Sequence, residues 1–393
     1  MNNVISAVSD IIQQVREMGD QALCDFAQRF DQMTLTPKDL VVPARELSAA
    51  KSRVSPAFQK ALKECAKRVE SFAKAEKAQI TKTWLKRQGS VRLGQLIRPV
   101  DSVGLYIPGG RFPYPSTVLM TAIPARVAGV RRIVIASPPK NLTIEVMAAA
   151  AFAGVTEVYR IGGAGAIAAL AYGTNTIEKV DFIVGPGNQY VTEAKRQVYG
   201  QVGIDSLAGP SEVVIISDGS APVSYLQNDL LAQAEHDPEA ESLLLSTNAK
   251  QLRDTEEGLD ASIRDRVQFR KVRNLDEAIE EANKIGPEHL ELLFPNAERY
   301  LPRIRHAGAI FLGPATTAVL GDYVAGPSHV LPTQRSARFS SGLSVATFMK
   351  RSSVIGFAAR PGERPQWEAA LTMAQTEGME FHARSLRARI ERS

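Results

Sequence analysis

Only two cysteines, Cys24 and Cys65, occur in 393 residues. Both fall in helical patterns and neither has metal-ligand spacing. That excludes a disulfide framework and a cysteine-based zinc cluster, and it fits a reducing cytoplasm. Aromatic residues are few, at 6%, with two tryptophans. A nucleic-acid surface of basic residues interleaved with aromatics is not expected. Long apolar runs are also missing. Stretches such as 146–155 fall far short of the roughly 20 residues a membrane helix needs. No charged-then-apolar leader opens the sequence, so no secretion signal is expected. Neither sign of charge dominates: 47 Lys and Arg against 42 Asp and Glu leave +5. The one dense basic run is Arg384, Arg387, Arg389 and Arg392, which reads as a solvated helix end that suits the helix dipole.

What remains is the composition of an ordinary globular protein, 44% hydrophobic and 23% charged, long enough for two or more domains. Residues 1–75 follow helical spacing, with Val4, Ile11, Ile12, Val15, Leu23, Phe26 and Phe30 on the apolar side. From about residue 90 strands and helices alternate. Strands are expected at 103–107, 132–136, 157–161, 182–184, 212–217, 242–245, 267–272 and 309–312, with 289–294 a further segment. Helices are expected between them, including 116–130, 144–153, 164–172, 188–198, 249–259, 275–285 and 297–304. Such repetition predicts an α/β fold of two Rossmann-like parallel-sheet domains with small helical N- and C-terminal segments. The expected division is a discontinuous α/β domain over 1–104 and 218–343, an inserted Rossmann-like domain over 105–217, and a helical segment over 344–393.

Histidine is scarce too, with five residues: His236, His289, His306, His329 and His382. The stretch from Asp229 to Pro238 reads as the last turns of a helix stopped by the proline. Gln233 and His236, three residues apart, then project from one face. Asp322 sits in Gly321-Asp322-Tyr323, read as a glycine-flanked turn after a strand. His329 lies in Gly326-Pro327-Ser328-His329, and His382 on the terminal helix. Zinc accepts imidazole and carboxylate ligands, but no HExxH occurs. By spacing alone these scattered residues read as structural rather than as a metal site.

Gly286-Pro287-Glu288-His289 sets a carboxylate beside an imidazole. From a turn the two could serve as an acid–base pair. A capping Glu and a half-buried His read equally well. Glycine loops recur at expected strand ends: Pro108-Gly109-Gly110, Gly162-Gly163-Ala164-Gly165, Gly185-Pro186-Gly187-Asn188 and Gly209-Pro210-Ser211. Together they suggest a crevice for a nucleotide or another anion. Any one of them could be a structural turn.

In combination these segments resemble the histidinol dehydrogenase family from about residue 12 onward. The resemblance rests on Val103-Gly-Leu-Tyr-Ile-Pro-Gly-Gly110, Pro115-Ser-Thr-Val-Leu-Met120, Gly185-Pro-Gly-Asn-Gln-Tyr-Val191, Ala208-Gly-Pro-Ser-Glu212, Gln233-Ala-Glu-His236, Gly286-Pro-Glu-His-Leu-Glu291 and His329-Val-Leu-Pro-Thr333. It implies a homodimeric enzyme of histidine biosynthesis that oxidises L-histidinol to L-histidine in two hydride steps. One zinc ion per subunit and NAD would serve it. By the same resemblance the zinc ligands fall on Gln233, His236, Asp322 and His382. The other substrate contacts fall on Ser211, His289, His329 and Glu377. Glu288 and His289 become the acid–base pair, and Tyr106, Gly165 and Asn188 the NAD contacts. The last helical segment, with Glu377 and His382, would complete the neighbouring subunit's site. Neither nucleic acid nor a membrane is implied as a partner.

Three departures from the family pattern stand out. The N-terminal helical region is shorter than in typical members. So is the stretch between His236 and Glu288. Gly165 stands where the family commonly has a glutamine that contacts NAD; losing that hydrogen bond would cost on the order of 1 kcal/mol. Competing readings are a paralogue acting on another amino or hydroxy alcohol, a zinc hydrolase that needs no NAD, and a binding protein that kept the scaffold. An intact Glu288 and His289 argue against the last.

Overall fold

The computed structural model describes residues 2–80, 82–89, 91–109, 112–236, 238–357 and 364–390, the side chains of Asn2, His236 and Arg364 excepted. The chain divides into two compact units, Met1–Ala78 with Val100–Phe348, and Gln79–Pro99 with Met349–Ser393.

The first unit opens with helices α1 (Asn2–Met18), α2 (Asp20–Asp31), α3 (Ala44–Arg53) and α4 (Pro56–Gln79). Strands β1 (Trp84–Gln88) and β2 (Val91–Pro99) belong to the second unit. The first parallel sheet then follows as β3 (Ser102–Tyr106), α5 (Pro115–Ala128), β4 (Arg132–Ser137), α6 (Ile144–Ala153), β5 (Glu157–Arg160), α7 (Gly163–Tyr172), β6 (Phe182–Val184), α8 (Gln189–Val198) and β7 (Gly203–Ile204). Its order is β5-β4-β3-β6-β7, and all its pairings are parallel.

Local chemistry explains these elements. Pro115 opens α5, where a missing N–H costs nothing. Gly129 closes it in the left-handed region at φ 101°. Thr143 caps α6 by accepting from Val146 N–H. The strands are apolar because helices cover both faces. Leu105, Ile135, Ile183, Ile167 and Leu170 are wholly buried. Each such side chain contributes about 1.5–3 kcal/mol.

The second sheet runs β8 (Glu212–Ser217), α9 (Val223–His236), β9 (Glu241–Ser246), α10 (Ala249–Glu257), α11 (Ala261–Arg264), β10 (Val267–Lys271), α12 (Leu275–Ile285), β11 (His289–Leu292), a 3-10 helix (Ala297–Arg303), β12 (Ala309–Leu312) and α13 (Ala318–Tyr323). Its order, β10-β9-β8-β11-β12, repeats that of the first. The inserted domain expected over 105–217 takes in β8, whose hydrogen-bonded neighbours β9 and β11 lie in this second sheet.

The second unit holds β13 (Met349–Gly356), α14 (Arg364–Thr376) and α15 (Glu380–Ile390). β13 pairs antiparallel with β2, and β2 with β1. The stretch 344–393, expected to be helical, opens with a short 3-10 helix (Val345–Phe348) and then holds the strand β13. Its residues 350–355 are all exposed and alternate too weakly to mark it. The chain does end in two helices. Among the described residues no helix is long and apolar enough to cross a membrane.

Candidate active site and cofactor cavity

Tyr106, Gly165 and Asn188 line one cavity of about 720 Å³ in the first unit. Its floor is made by the chain just past β3, β4, β5 and β6: Gly109, Pro138 and Pro139, Gly162 to Gly165, and Asn188. Its opposite wall comes from α1 and α2, through Ile11, Leu23, Phe26, Phe30 and Asp31. Tyr106 ends β3, and its buried hydroxyl accepts a 3.0 Å hydrogen bond from Gly163 N–H at the start of α7. Burial pushes the phenol up to about 12, so it stays neutral. Asn188 caps α8, its Oδ1 accepting from Tyr190 and Val191 N–H.

The loop before Asn188 is held by a closed ring of contacts. Gly185 N–H donates to Asp205 Oδ2 at 2.8 Å, and Gly185 O accepts from Lys195 Nζ at 3.1 Å. Lys195 and Asp205 are themselves ion-paired, with side chains 2% and 5% exposed. Gly185 has φ 117°, and a Cβ there would meet Tyr106 O at 2.1 Å. Only glycine fits this turn.

The acid–base candidates lie elsewhere and do not line the cavity. Glu288 precedes β11 and His289 is its first residue; both are buried. His289 Nδ1 lies 3.8 Å from Glu288 Oε2, which also accepts from Glu212 N–H at 3.1 Å. The His289 ring packs on Phe311 at 5.8 Å between centroids. Gly321 of α13 backs onto the same Phe311 ring. Ser211 immediately precedes β8, and its carbonyl accepts from Glu241 N–H. Gly209-Pro210-Ser211 was expected at a strand's C-terminal end; it stands at the N-terminal end of β8, because the strand before it, β7, ends at Ile204.

Gln233 and His236 stand on the last turns of α9. Gln233 is 4% exposed, and its Nε2 has no hydrogen-bond partner. Asp322, expected in a turn, is on the short helix α13, which Thr317 caps. It is half-buried. His329 bridges the two sheets: Nε2 pairs with Thr117 Oγ1 of α5 at 3.0 Å, and Nδ1 with the Asp322 carbonyl at 3.0 Å. Glu377 lies in the turn between α14 and α15, and His382 on α15; both are exposed and belong to the second unit. Among the described residues no three His, Cys, Asp or Glu side chains converge as a metal site.

The sequence did not reveal a carboxyl pair, Glu291 buried and Asp229 half-buried. Glu291 of β11 accepts from Ala318 N–H at 2.6 Å, and Asp229 of α9 lies within electrostatic reach of it. Burial, then the Asp229 charge, push Glu291 up to about 8. The Glu291 hydrogen bond ties β11 to the start of α13. The pair's one signal was a glutamate inside the apolar strand His289-Leu290-Glu291-Leu292.

Comparison with known proteins extends these observations to the whole chain. The sequence model described as Histidinol dehydrogenase matches residues 1–390. A histidinol dehydrogenase of Pseudomonas fluorescens is 47% identical over 405 residues, 99% of this chain and 91% of the relative. One of Gluconobacter oxydans is 45% identical over 407 residues, covering 100% and 94%. The crystal structure of histidinol dehydrogenase from Elizabethkingia anophelis superposes with a TM-score of 0.90 at 33% identity, over 98% of this chain and 92% of that one. This chain, an oxidoreductase, belongs to the histidinol dehydrogenase family.

Proposed function

We propose that the chain oxidises L-histidinol to L-histidine through a bound aldehyde, with NAD and one zinc ion per subunit, in the cytoplasm. The observation that carries the cofactor reading is the convergence of Tyr106, Gly165 and Asn188 on one cavity. Its size lies within the roughly 300–1,000 Å³ of ligand pockets. The donor set fits the metal reading: a buried carboxamide with a partnerless atom on α9, a histidine position one turn on, and a carboxylate residue on α13, the helix that packs against α9. Carboxamide O and N can be exchanged by a flip, which would turn Gln233 Oε1 to the cation. When bound, NAD supplies the hydride acceptor and zinc a positive centre that orients the substrate.

The chain's own residues supply the rest. Gln233, His236 and Asp322 would hold the metal from one subunit and His382 from its partner. Ser211, His329 and Glu377, with His289 and the metal ligands, would hold the substrate, Glu377 facing its cationic amine. His289 would take the hydroxyl proton in the first oxidation. Glu288 would then take a proton from water as that water adds to the aldehyde, and the hydrate would be oxidised in turn. A homodimer is supported by the apolar exposure of the second unit, where Leu85, Ile355, Met373 and Phe381 are 58%, 69%, 59% and 78% exposed.

The test is NADH formation from L-histidinol by zinc-loaded protein, with histidine quantified. Two NADH per histidine, lost on chelation and restored by zinc, is the expected result. NAD-independent turnover, or no NADH from folded, metal-loaded protein, would overturn it. In the second case other amino or hydroxy alcohols become the substrates to try.

A further inference from the structure

Gly165 carries no side chain, yet the space beside it is filled. A Cβ built there would stand 2.9 Å from Phe26 Cδ2 and 3.5 Å from Leu23 Cδ2. Gly165 is an ordinary helical residue of α7, outside the left-handed region. Glycine inside a helix is disfavoured relative to alanine, so its place here has a steric reason. That reason is α2. Its Phe26 ring, 7% exposed, lies over the first turn of α7 and faces the same cavity as Gly165. The Phe30 ring stands 5.9 Å from it, tilted by 35°, with the Arg29 guanidinium over Phe30. Leu23, Ile11 and Ala27 extend this apolar wall. Pro138 and Pro139 stand among the residues from the strand ends that complete the cavity.

We infer that Phe26 is a cofactor-positioning residue, and that its ring occupies the volume a side chain at 165 would take. It gives the cavity an aromatic wall against which a planar ring of the dinucleotide lies. Residues 26 and 165 are thus sterically exclusive: this chain holds its cofactor by contact from α2 rather than by a hydrogen bond from α7. The inference rests on the cavity being the NAD site. It has a counter-intuitive consequence. Putting the glutamine common in the family back at 165 weakens NAD binding, because it drives Phe26 and α2 off the cavity.

The experiment is calorimetric titration of the zinc-loaded, full-length protein with NAD, alongside thermal melts. Gly165→Gln should weaken NAD by about tenfold or more, because the added side chain overpacks the site. Gly165→Ala should do so by a smaller factor, and it serves if the larger variant does not fold. Phe26→Ala should weaken NAD by about tenfold. Adding Phe26→Ala to Gly165→Gln should recover affinity above that of Gly165→Gln alone. KM for NAD should follow these changes while KM for L-histidinol does not, which a merely structural role would not produce. NAD binding by Gly165→Gln as tight as in the parent, or strictly additive losses in the double variant, would overturn the inference and leave the cavity reading intact. A parent protein that titrates no NAD would overturn both.

Discussion

In the first sheet, the residues that line the cavity follow the C-terminal ends of β3, β4, β5 and β6. In the second sheet, Ser211, Glu212, Glu288 and His289 gather at the N-terminal ends of β8 and β11. The two sheets share one strand order, so topology does not decide which end carries the polar groups. Helix polarity says what each end suits. Helices that follow parallel strands present N-termini at the strands' C-terminal end, where partial positive charge favours a phosphate-bearing cofactor. At the other end the same helices present C-termini, where cations are favoured. Gln233 and His236 sit on the closing turns of α9, and Glu288 follows the closing turn of α12. One sheet offers its anion-friendly end and the other its cation-friendly end.

This contrast can be broken by variants that strike one end alone. His289→Ala should lower kcat by about 10²–10⁴ and leave NAD affinity within about twofold, measured by titration. An equal loss of NAD binding would mean that the two ends are not separate functions. Lys195→Met should leave the buried Asp205 unpaired and cost about 3–5 kcal/mol of stability, read from urea unfolding. Because the pair pins the Gly185 loop, NAD affinity should fall in the same variant. Glu288→Gln should slow aldehyde oxidation more than alcohol oxidation, by about tenfold or more. Equal slowing of both half-reactions would remove the water-activating role.

The smallest effect is expected from Glu291→Gln. Burial and Asp229 hold the Glu291 carboxyl protonated up to about 8, against 4.5 for the unperturbed group. The folded state therefore binds the extra proton, and stability falls as pH rises from about 4.5 through about 8. A neutral glutamine does not titrate, so the variant's melting temperature should fall less over this window. At pH 9 it should melt a few degrees above the parent. A parallel pH dependence in both proteins would place the proton elsewhere.

Most helices and strands of both sheets were legible because their apolar periodicity is local and their caps are strong, as at Thr143, Asn188 and Asn274; the short β7, α11 and α13 were not. Strands β1, β2 and β13 were not. Trp84-Leu85-Lys86-Arg87-Gln88 and Met349-Lys350-Arg351-Ser352-Ser353 are largely exposed, and pairing between distant segments holds them. The 297–303 segment was expected as a helix and is a 3-10 helix with Pro302 inside it. Candidate residues such as Glu288 and His289 could be picked out by type. Their place beside Ser211 and Glu212 could not, because it depends on the register of β11 against β8. Phe26 read only as one more apolar position on a helix. Its meaning depends on the Cβ that Gly165 lacks.

The antiparallel sheet of the second unit also bears on the order in which the chain matures. β2 ends at Pro99 and β13 begins at Met349, so joining them closes a loop of roughly 250 residues. Chains emerge from the ribosome N-terminus first, and units fold as they become complete. Both parallel sheets are synthesised before β13 exists. Until translation is nearly finished, the β1–β2 hairpin has an unpaired edge along β2, a template for non-native pairing. Truncation anywhere before residue 349 would make that exposure permanent, whatever its effect on catalysis.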